Sequence, residues 1–291
     1  MDRFNSPLRY PGGKLKIAGY VKTLIAENSL YDGTYIEAFA GGAGVALELL
    51  FSEYMHDLIL NDADINIYAF WHSVVHNTNE FISLIEDASV TIDEWYNIRD
   101  SYQNFNSSTS LLERGFATFF LNRCNRSGII KGGPIGGYAQ EGEWKLDARF
   151  NKNLLIKRVK RIGLYKNRIR LFNMDAVDFI KEIKTDIKDK NHFIYLDPPY
   201  FQKGQELYLN YYHPDDHQHL SIFVKENMSD LTWMISYDNC PEIKRLYTQY
   251  RSTHHTLNYS VTSPKKGSEC VFYSEAMKVP QESLDAIEIA I

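Results

Sequence analysis

Residues 35–62 read YIEAFAGGAGVALELLFSEYMHDLILND, a stretch in which strand and helix patterns alternate. Residues 35–39 are rich in β-forming side chains and predict a strand, after which comes a glycine-rich turn and the helical pattern VALELLF. Residues 57–60 predict a second strand, which Asn61 and Asp62 close. Strand, turn, helix and strand form one βαβ unit, so the sequence predicts an α/β protein with a parallel sheet.

Two further strands are predicted late in the chain. FIYL at residues 193–196 is followed by the tetrapeptide DPPY at 197–200, and LTWMI at 231–235 is followed by SYD at 236–238. Ligands of open α/β sheets bind at the carboxyl ends of the strands. We therefore expect the four strand ends to converge on one site.

The middle of the chain has a different character. Residues 67–120 have a helical pattern with a polar break at 104–110, and residues 126–143 are rich in glycine. Leu155, Val159 and Ile162 fit one apolar helix face. These patterns predict an insertion at residues 67–165 into a domain formed by residues 1–66 and 166–291.

The charge of the chain is unevenly distributed. The formal net charge of the 291 residues is −5, yet residues 121–170 hold thirteen Lys and Arg against Glu141, Glu143 and Asp147. A basic block of this kind is typical of a site for a polyanion. A solvated helix face that carries charge for solubility explains the same pattern equally well.

Composition excludes several classes of protein. No apolar run is long enough to cross a bilayer, and the first ten residues, MDRFNSPLRY, are not those of a signal peptide. The three cysteines are scattered, which predicts neither a disulfide framework nor a four-cysteine zinc site. We expect a cytoplasmic protein with no membrane contact.

The tetrapeptide Asp197–Tyr200 is the most specific chemical signal. Its two prolines lack backbone donors and fix a rigid extended path directly after a strand. The path presents a carboxylate, a proline carbonyl and an aromatic ring, which suit a planar amine on a heteroaromatic base. The glycine turn and Asp62 lie at the ends of the first two predicted strands and suit a nucleoside, because a carboxylate there accepts hydrogen bonds from ribose hydroxyls.

The ordered set YPGGKLK, EAFAGGAG, LND, LNRCNRSG, DPPY and ISYDN resembles the Dam-type family of DNA adenine methyltransferases across residues 7 to about 273. The resemblance implies S-adenosyl-L-methionine (AdoMet) as cofactor, a seven-stranded Rossmann-like sheet and double-stranded DNA as partner. It also implies that residues 67–165 form the target-recognition domain and that the protein is associated with the nucleoid through DNA.

The resemblance assigns roles residue by residue. Asp197, Pro198, Pro199 and Tyr200 hold a flipped adenine, and Asp197 also lies close to the cofactor. The implied cofactor-binding residues are Tyr10, Lys14, Phe39, Gly41, Gly42 and Asp62. Predicted DNA contacts are Arg123, Asn125 and Arg126 for the bases and Lys157, Arg158, Lys160 and Arg161 for the phosphates.

Alternatives remain open at the level of sequence. An amino-methyltransferase acting on cytosine N4 or on RNA shares DPPY, and a catalytically silent DNA-binding relative retains the fold. The segment HPDDHQH at residues 213–219 suits a metal site or the first turn of a helix, and we expect no metal. The sequence does not predict the oligomeric state, a partner nuclease or the DNA sequence recognised.

Overall fold

A computed structural model describes residues 5–9, 14–202, 212–260, 264–280 and 287–288. The chain divides into two compact units. The helical unit comprises Met1–Gly13 and Asp64–Asn173, and the sheet unit comprises Lys14–Ala63 and Met174–Ile291. The divisions lie near the boundaries predicted for the insertion, whereas the N-terminal segment groups with the inserted residues. That the two units are a DNA-recognition and a cofactor domain stays a prediction.

The strands in the described part of the chain are β1 (Thr34–Glu37), β2 (Asp57–Asn61), β3 (Ile169–Phe172), β4 (His192–Leu196), β5 (Trp233–Asp238), β6 (Arg251–Ser260), β7 (Pro264–Tyr273) and β8 (Ile287–Glu288). The α-helices are α1 (Ala18–Glu27), α2 (Gly44–Phe51), α3 (Ile65–His76), α4 (Thr78–Asp87), α5 (Ile92–Gln103), α6 (Leu111–Cys124), α7 (Lys152–Leu164), α8 (Ala176–Ile187), α9 (Pro214–Asn227) and α10 (Pro241–Leu246).

The sheet unit is built on seven strands in the order β2-β1-β4-β5-β7-β6-β8. Strands β2, β1, β4 and β5 run parallel, and β7 lies antiparallel between β5 and β6. All five residues of β4 are buried, as expected for a parallel strand covered on both faces. The predicted Rossmann-like α/β sheet is confirmed.

One local prediction needs correction in the sheet unit. Strand β5 begins two residues later than predicted and includes Ser236–Asp238, which the sequence had placed after the strand. Ile287–Glu288 pair with β6.

The helical unit packs α3 against α6 and α7 against α4. A Cβ atom at Gly115 would lie 2.5 Å from the Ala69 carbonyl oxygen, so the close approach of α3 and α6 requires glycine. The predicted break at 104–110 separates α5 from α6. The predicted apolar face of α7 is confirmed, since Leu155, Val159 and Ile162 are buried.

The glycine-rich segment is built of turns. Residues 129–145 form successive turns with one isolated bridge, between Asn125 and Pro134, and contain no strand. Gly136 and Gly137 have φ of 86° and 79°, values that favour tight turns over a ladder. None of the helices in the described residues is long and apolar enough to cross a membrane.

Candidate active site

The carboxyl ends of the four parallel strands lie side by side. In the register of the sheet, Glu37 at the end of β1 is opposite Leu60 of β2 and Tyr195 of β4. Leu196 of β4 is opposite Ile235 of β5. The predicted convergence is confirmed, and the polar residues that follow these strands share one edge of the sheet.

The glycine turn after β1 is held by the residues that follow β2. The Gly41 amide donates to Asp62 Oδ2 at 2.9 Å, and the Ala40 amide donates to the Asn61 carbonyl oxygen at 2.8 Å. Gly41 and Ala43 both have φ of 45°, which bends the chain sharply into α2. Gly42 and Phe39 are half-buried at this turn, so both remain accessible to a ligand.

Asn61 links three segments, a role that the sequence did not reveal. Its amide nitrogen donates to the carbonyl oxygens of Ala38, at 2.9 Å, and Met174, at 3.0 Å. Its amide oxygen accepts from the Met174 N–H at 3.0 Å. Because Asn61 is buried, these bonds fix the ends of β1 and β2 and the segment that leads into α8.

Glu37 is a second residue whose role sequence reasoning missed. Its Oε1 accepts from the Ala46 amide at 3.2 Å. Glu37 therefore caps the N-terminus of α2, because the N-cap residue Ala43 has no polar side chain that could do so. Burial is the main cause that raises the pKa of Glu37 to about 8, and the charge of Asp197 contributes to this shift. The carboxyl is therefore mostly protonated at neutral pH.

The DPPY tetrapeptide leaves β4 in a fixed arrangement. Ser236 Oγ donates to Asp197 Oδ1 at 2.7 Å, and the Tyr195 hydroxyl lies 2.7 Å from the same Ser236 oxygen. Pro198 and Pro199 are buried, whereas Asp197 is half-buried. The carboxylate therefore has a set orientation and remains accessible.

The end of this segment is held from β5 and β7. The Tyr200 hydroxyl donates to Glu269 Oε1, and the amides of Phe201 and Gln202 donate to the two carboxylate oxygens of Asp238 at 2.9 and 3.0 Å. None of these acceptors had been predicted as a site residue.

Two other predicted cofactor contacts cannot be placed with side chains. Tyr10 lies outside the described residues. Lys14 begins a 3-10 helix, Lys14–Ile17, and its side chain is also outside the description.

The polar side chains of the motif LNRCNRSG form hydrogen bonds in the interior of the helical unit. Asn122 accepts from the Arg9 amide at 2.7 Å and donates to the Arg9 carbonyl oxygen at 2.9 Å. Arg123 is only 7% exposed, and its Nε donates to the Arg149 carbonyl oxygen at 2.7 Å. Asn125 is fully buried; it accepts from the Trp95 indole at 2.7 Å and donates to two backbone carbonyls. The predicted base contacts of Arg123 and Asn125 would require both side chains to give up these bonds.

The other predicted DNA contacts lie at the surface of the helical unit. Arg126, Lys157, Lys160 and Arg161 are exposed, and Arg158 is half-buried. Arg158 donates to the Ser6 carbonyl oxygen at 3.0 Å, and Arg161 donates to Asn5 Oδ1 at 3.4 Å. Two of the four predicted phosphate contacts on α7 thus also hold the N-terminal segment.

Three arginines surround Arg123, and the four together form an arginine cluster. Burial is the main cause that lowers the pKa of Arg123 to about 9, and the charges of Arg9, Arg158 and Arg149 contribute to this shift. Arg149 is exposed, while Arg9 and Arg158 are half-buried. The arginine cluster concentrates positive charge at one place. The charge count over residues 121–170 did not reveal this, because Arg9 lies outside that range.

The metal interpretation of residues 213–219 is not supported among the described residues. No group of three or more His, Cys, Asp or Glu side chains there could hold a metal ion. The segment instead begins α9, with Pro214 in the first turn and Asp216 Oδ2 accepting from the His213 amide at 2.8 Å.

Fold and site together define a class of protein. The Rossmann-like sheet brings a glycine turn, a carboxylate after the second strand and a DPPY segment to one edge. This combination defines a methyltransferase that acts on an amino group. Residues 10–262 match the D12 class N6 adenine-specific DNA methyltransferase family, and the chain belongs to this family. The Dam-type resemblance of the sequence motifs is confirmed.

Curated relatives are similar to the chain at low identity. The type II methyltransferase M.MjaIII of Methanocaldococcus jannaschii is 24% identical over 206 residues, which cover 66% of this chain and 68% of the relative. The DNA adenine methylase of Haemophilus influenzae is 25% identical over 205 residues, covering 68% and 65%. The modification methylase StsI of Streptococcus sanguinis is 25% identical over 209 residues, but the match spans only 28% of that longer protein.

Proposed function

We propose that this protein transfers the methyl group of AdoMet to the exocyclic N6 amine of an adenine that has been extruded from double-stranded DNA at a specific sequence. The observation that carries the proposal is the fixed Asp197 carboxylate at the end of β4, followed by two buried prolines and Tyr200. Family membership supports adenine in DNA as the substrate over cytosine N4 or RNA.

The residues at the strand ends fit AdoMet. Asp62 is half-buried beside the glycine turn, where a carboxylate suits the ribose hydroxyls. Phe39 and Gly42 are accessible at the turn, and Gly41 brings the backbone close to a ligand. The half-buried Asp197 suits a cationic group. When bound, AdoMet supplies an activated methyl group on a positively charged sulfur.

Asp197 and the proline carbonyl prepare the adenine amine. The lone pair of this amine is delocalised into the ring, which makes the nitrogen a poor nucleophile. Hydrogen bonds from its two N–H groups to Asp197 and to the Pro198 carbonyl favour a pyramidal nitrogen with its lone pair directed outward. Positioning of this kind recovers about 7–11 kcal/mol of a bimolecular barrier.

Tyr200 offsets part of the cost of extrusion. Moving a base out of the duplex costs a few kcal/mol. Stacking on an aromatic side chain returns about 1–3 kcal/mol per base.

The helical unit supplies the DNA contacts in this proposal. Arg126, Lys157 and Lys160 are exposed cations, and the arginine cluster gathers further positive charge at Arg149. The turns near Arg126 expose two aromatic side chains, Tyr138 at 55% and Trp144 at 65%. Exposed aromatic rings among cations suit contact with nucleic-acid bases, so this segment is our candidate for reading the sequence.

Sequencing that detects modified bases tests the function. The wild-type chain and Asp197→Ala are expressed separately in a bacterial host that lacks DNA methylation. We expect N6-methyladenine at one short sequence with the wild type and none with the variant. Methylation of cytosine N4 instead, or equal methylation by both chains, would contradict the proposal.

A further inference from the structure

Three polar side chains hold the catalytic segment, residues 197–202, from neighbouring strands. Ser236 of β5 donates to Asp197, Asp238 of β5 accepts from two amides, and Glu269 of β7 accepts from Tyr200. We propose that Ser236, Asp238 and Glu269 form a clamp that sets the catalytic geometry of residues 197–202, and that all three are positioning residues for methyl transfer. The inference rests on the function proposed above.

The pairing of β5 with β7 places the clamp residues together. Asp238 is directly opposite Glu269 in this antiparallel pair, so their side chains share one face of the sheet. Ser236 lies two residues before Asp238 and therefore projects to the same face. The clamp thus depends on the strand register. If the register of β5 shifted by one residue, the side chains of Ser236 and Asp238 would point to the opposite face, away from the catalytic segment.

The segment needs such support because of its prolines. Pro198 and Pro199 have no N–H group, so the backbone cannot be held by donation at either position. The clamp holds the chain on both sides of these two prolines. Asp197 is held before the prolines, and Tyr200 and the amides of Phe201 and Gln202 are held after them.

Burial makes two of the three clamp residues rigid, whereas Asp238 is half-buried. Ser236 is 0% exposed and Glu269 is 2% exposed, and polar groups removed from water retain their hydrogen bonds because leaving them unmade is costly. The Tyr195 hydroxyl extends the support, since Ser236 donates its own proton to Asp197 and so accepts from Tyr195. The Asp197 carboxylate and the Tyr200 ring therefore have their orientations set before substrate arrives.

The test measures methyl transfer in a single turnover, with AdoMet and cognate duplex both saturating. The variants are Ser236→Ala, Asp238→Ala and Glu269→Met, each of which removes one contact of the clamp. Ser274→Ala is the matched control, because it removes a buried serine hydroxyl that accepts from the Trp233 amide at the opposite end of β5. Glu269→Gln keeps an oxygen acceptor for Tyr200 and tests rescue.

We expect each clamp variant to slow methyl transfer about tenfold or more, because a small displacement of reacting groups has a large effect on rate. Dissociation constants for AdoMet and DNA should change less than about threefold, since no clamp residue is a proposed contact for either. Glu269→Gln should recover most of the rate lost in Glu269→Met, and Ser274→Ala should match the wild type.

Clamp variants with the control's rate would overturn the inference, and so would losses explained entirely by weaker binding of AdoMet or DNA. If one variant fails to fold, as judged by circular dichroism and thermal melting, the other two still decide. A wild-type chain that methylates no adenine contradicts the proposed function instead. The two failures are therefore distinguishable.

Discussion

The candidate site at the edge of the sheet unit and the arginine cluster of the helical unit use polar side chains in opposite ways. At the sheet edge, residues such as Asp62 and Asp197 are half-buried and face accessible space. In the helical unit, Arg123 and Asn125 are directed inward and bind backbone carbonyls. Both regions have a short run of polar residues near the end of an apolar element. In the sheet unit this run contributes accessible side chains to the candidate site, and in the helical unit it forms hydrogen bonds in the interior.

The difference lies in geometry. The carboxyl ends of parallel strands must meet at one edge, so a polar residue there is close to other strand ends whatever the rest of the fold does. A helix end imposes no such convergence. Its polar residues serve whichever segment packs against them, and around α6 that segment is the chain at residues 5–9.

The largest expected effect concerns Glu37 at the sheet edge. Its pKa is about 8 in the folded protein against an ordinary value of 4.5, because the carboxyl is buried. The folded state therefore binds a proton that the unfolded state has released, and stability falls as pH rises from about 5 to 8. The loss amounts to roughly 4 kcal/mol at most, at about 1.4 kcal/mol per pKa unit.

Glu37→Gln retains the acceptor for Ala46 and cannot ionise. Urea unfolding of both chains at several pH values should show a variant that is relatively more stable at pH 8 than at pH 5. Tyr35 and Asp197 also face Glu37, and both are unchanged in this comparison. Parallel pH profiles for the two chains would show that Glu37 is not buried as described.

The sequence predicted the sheet edge better than the helical unit for the same geometric reason. Strands, glycine turn, Asp62 and DPPY follow from local patterns and from the rule for parallel strands. The acceptors Asp238 and Glu269 do not, because β7 is antiparallel and its register with β5 depends on long-range pairing. The sequence did not reveal that Arg123 points inward either, since an arginine in the last turn of a helix is usually exposed.

The second prediction contrasts Arg123 with Arg126, two arginines on either side of the same turn. Arg123→Ala removes a buried side chain that binds the Arg149 and Pro7 carbonyl oxygens. It should lower the free energy of unfolding by about 1–3 kcal/mol. Arg126 is exposed, so Arg126→Ala should change stability by less than about 0.5 kcal/mol.

For DNA binding, we expect Arg126→Ala to have the larger effect and Arg123→Ala the smaller one. Arg126→Ala is expected to weaken binding to the cognate duplex by about 1–3 kcal/mol and to leave random duplex unaffected, as for a base-reading contact. Urea unfolding and fluorescence anisotropy measure the two quantities. A stable Arg123→Ala chain that has lost cognate binding would restore the base-reading role first predicted for Arg123.

The third prediction tests the accessible carboxylate after β2. Asp62→Ala should weaken AdoMet binding about tenfold or more in calorimetry, because it removes a charged hydrogen-bond partner for the ribose and releases the Gly41 amide. Asp57→Ala, an exposed change at the other end of β2, is the control. Equal AdoMet affinity in all three chains would remove Asp62 from the site.

The smallest expected effect is that of a single phosphate contact on α7. Lys157 is exposed, whereas its neighbour Arg158 donates to the Ser6 carbonyl oxygen, so only the lysine can be removed without disturbing the N-terminal segment. Each phosphate contact releases about one counterion from duplex DNA, so Lys157→Ala should lower the slope of log affinity against log salt by about one unit. The loss should be the same for cognate and random duplexes, because phosphates carry no sequence information. Lys181→Ala in the sheet unit is a matched control, since this exposed lysine forms its ion pair with Asp178. If Lys157→Ala and Lys181→Ala have the wild-type slope alike, α7 is a solvated face, and its charge serves solubility.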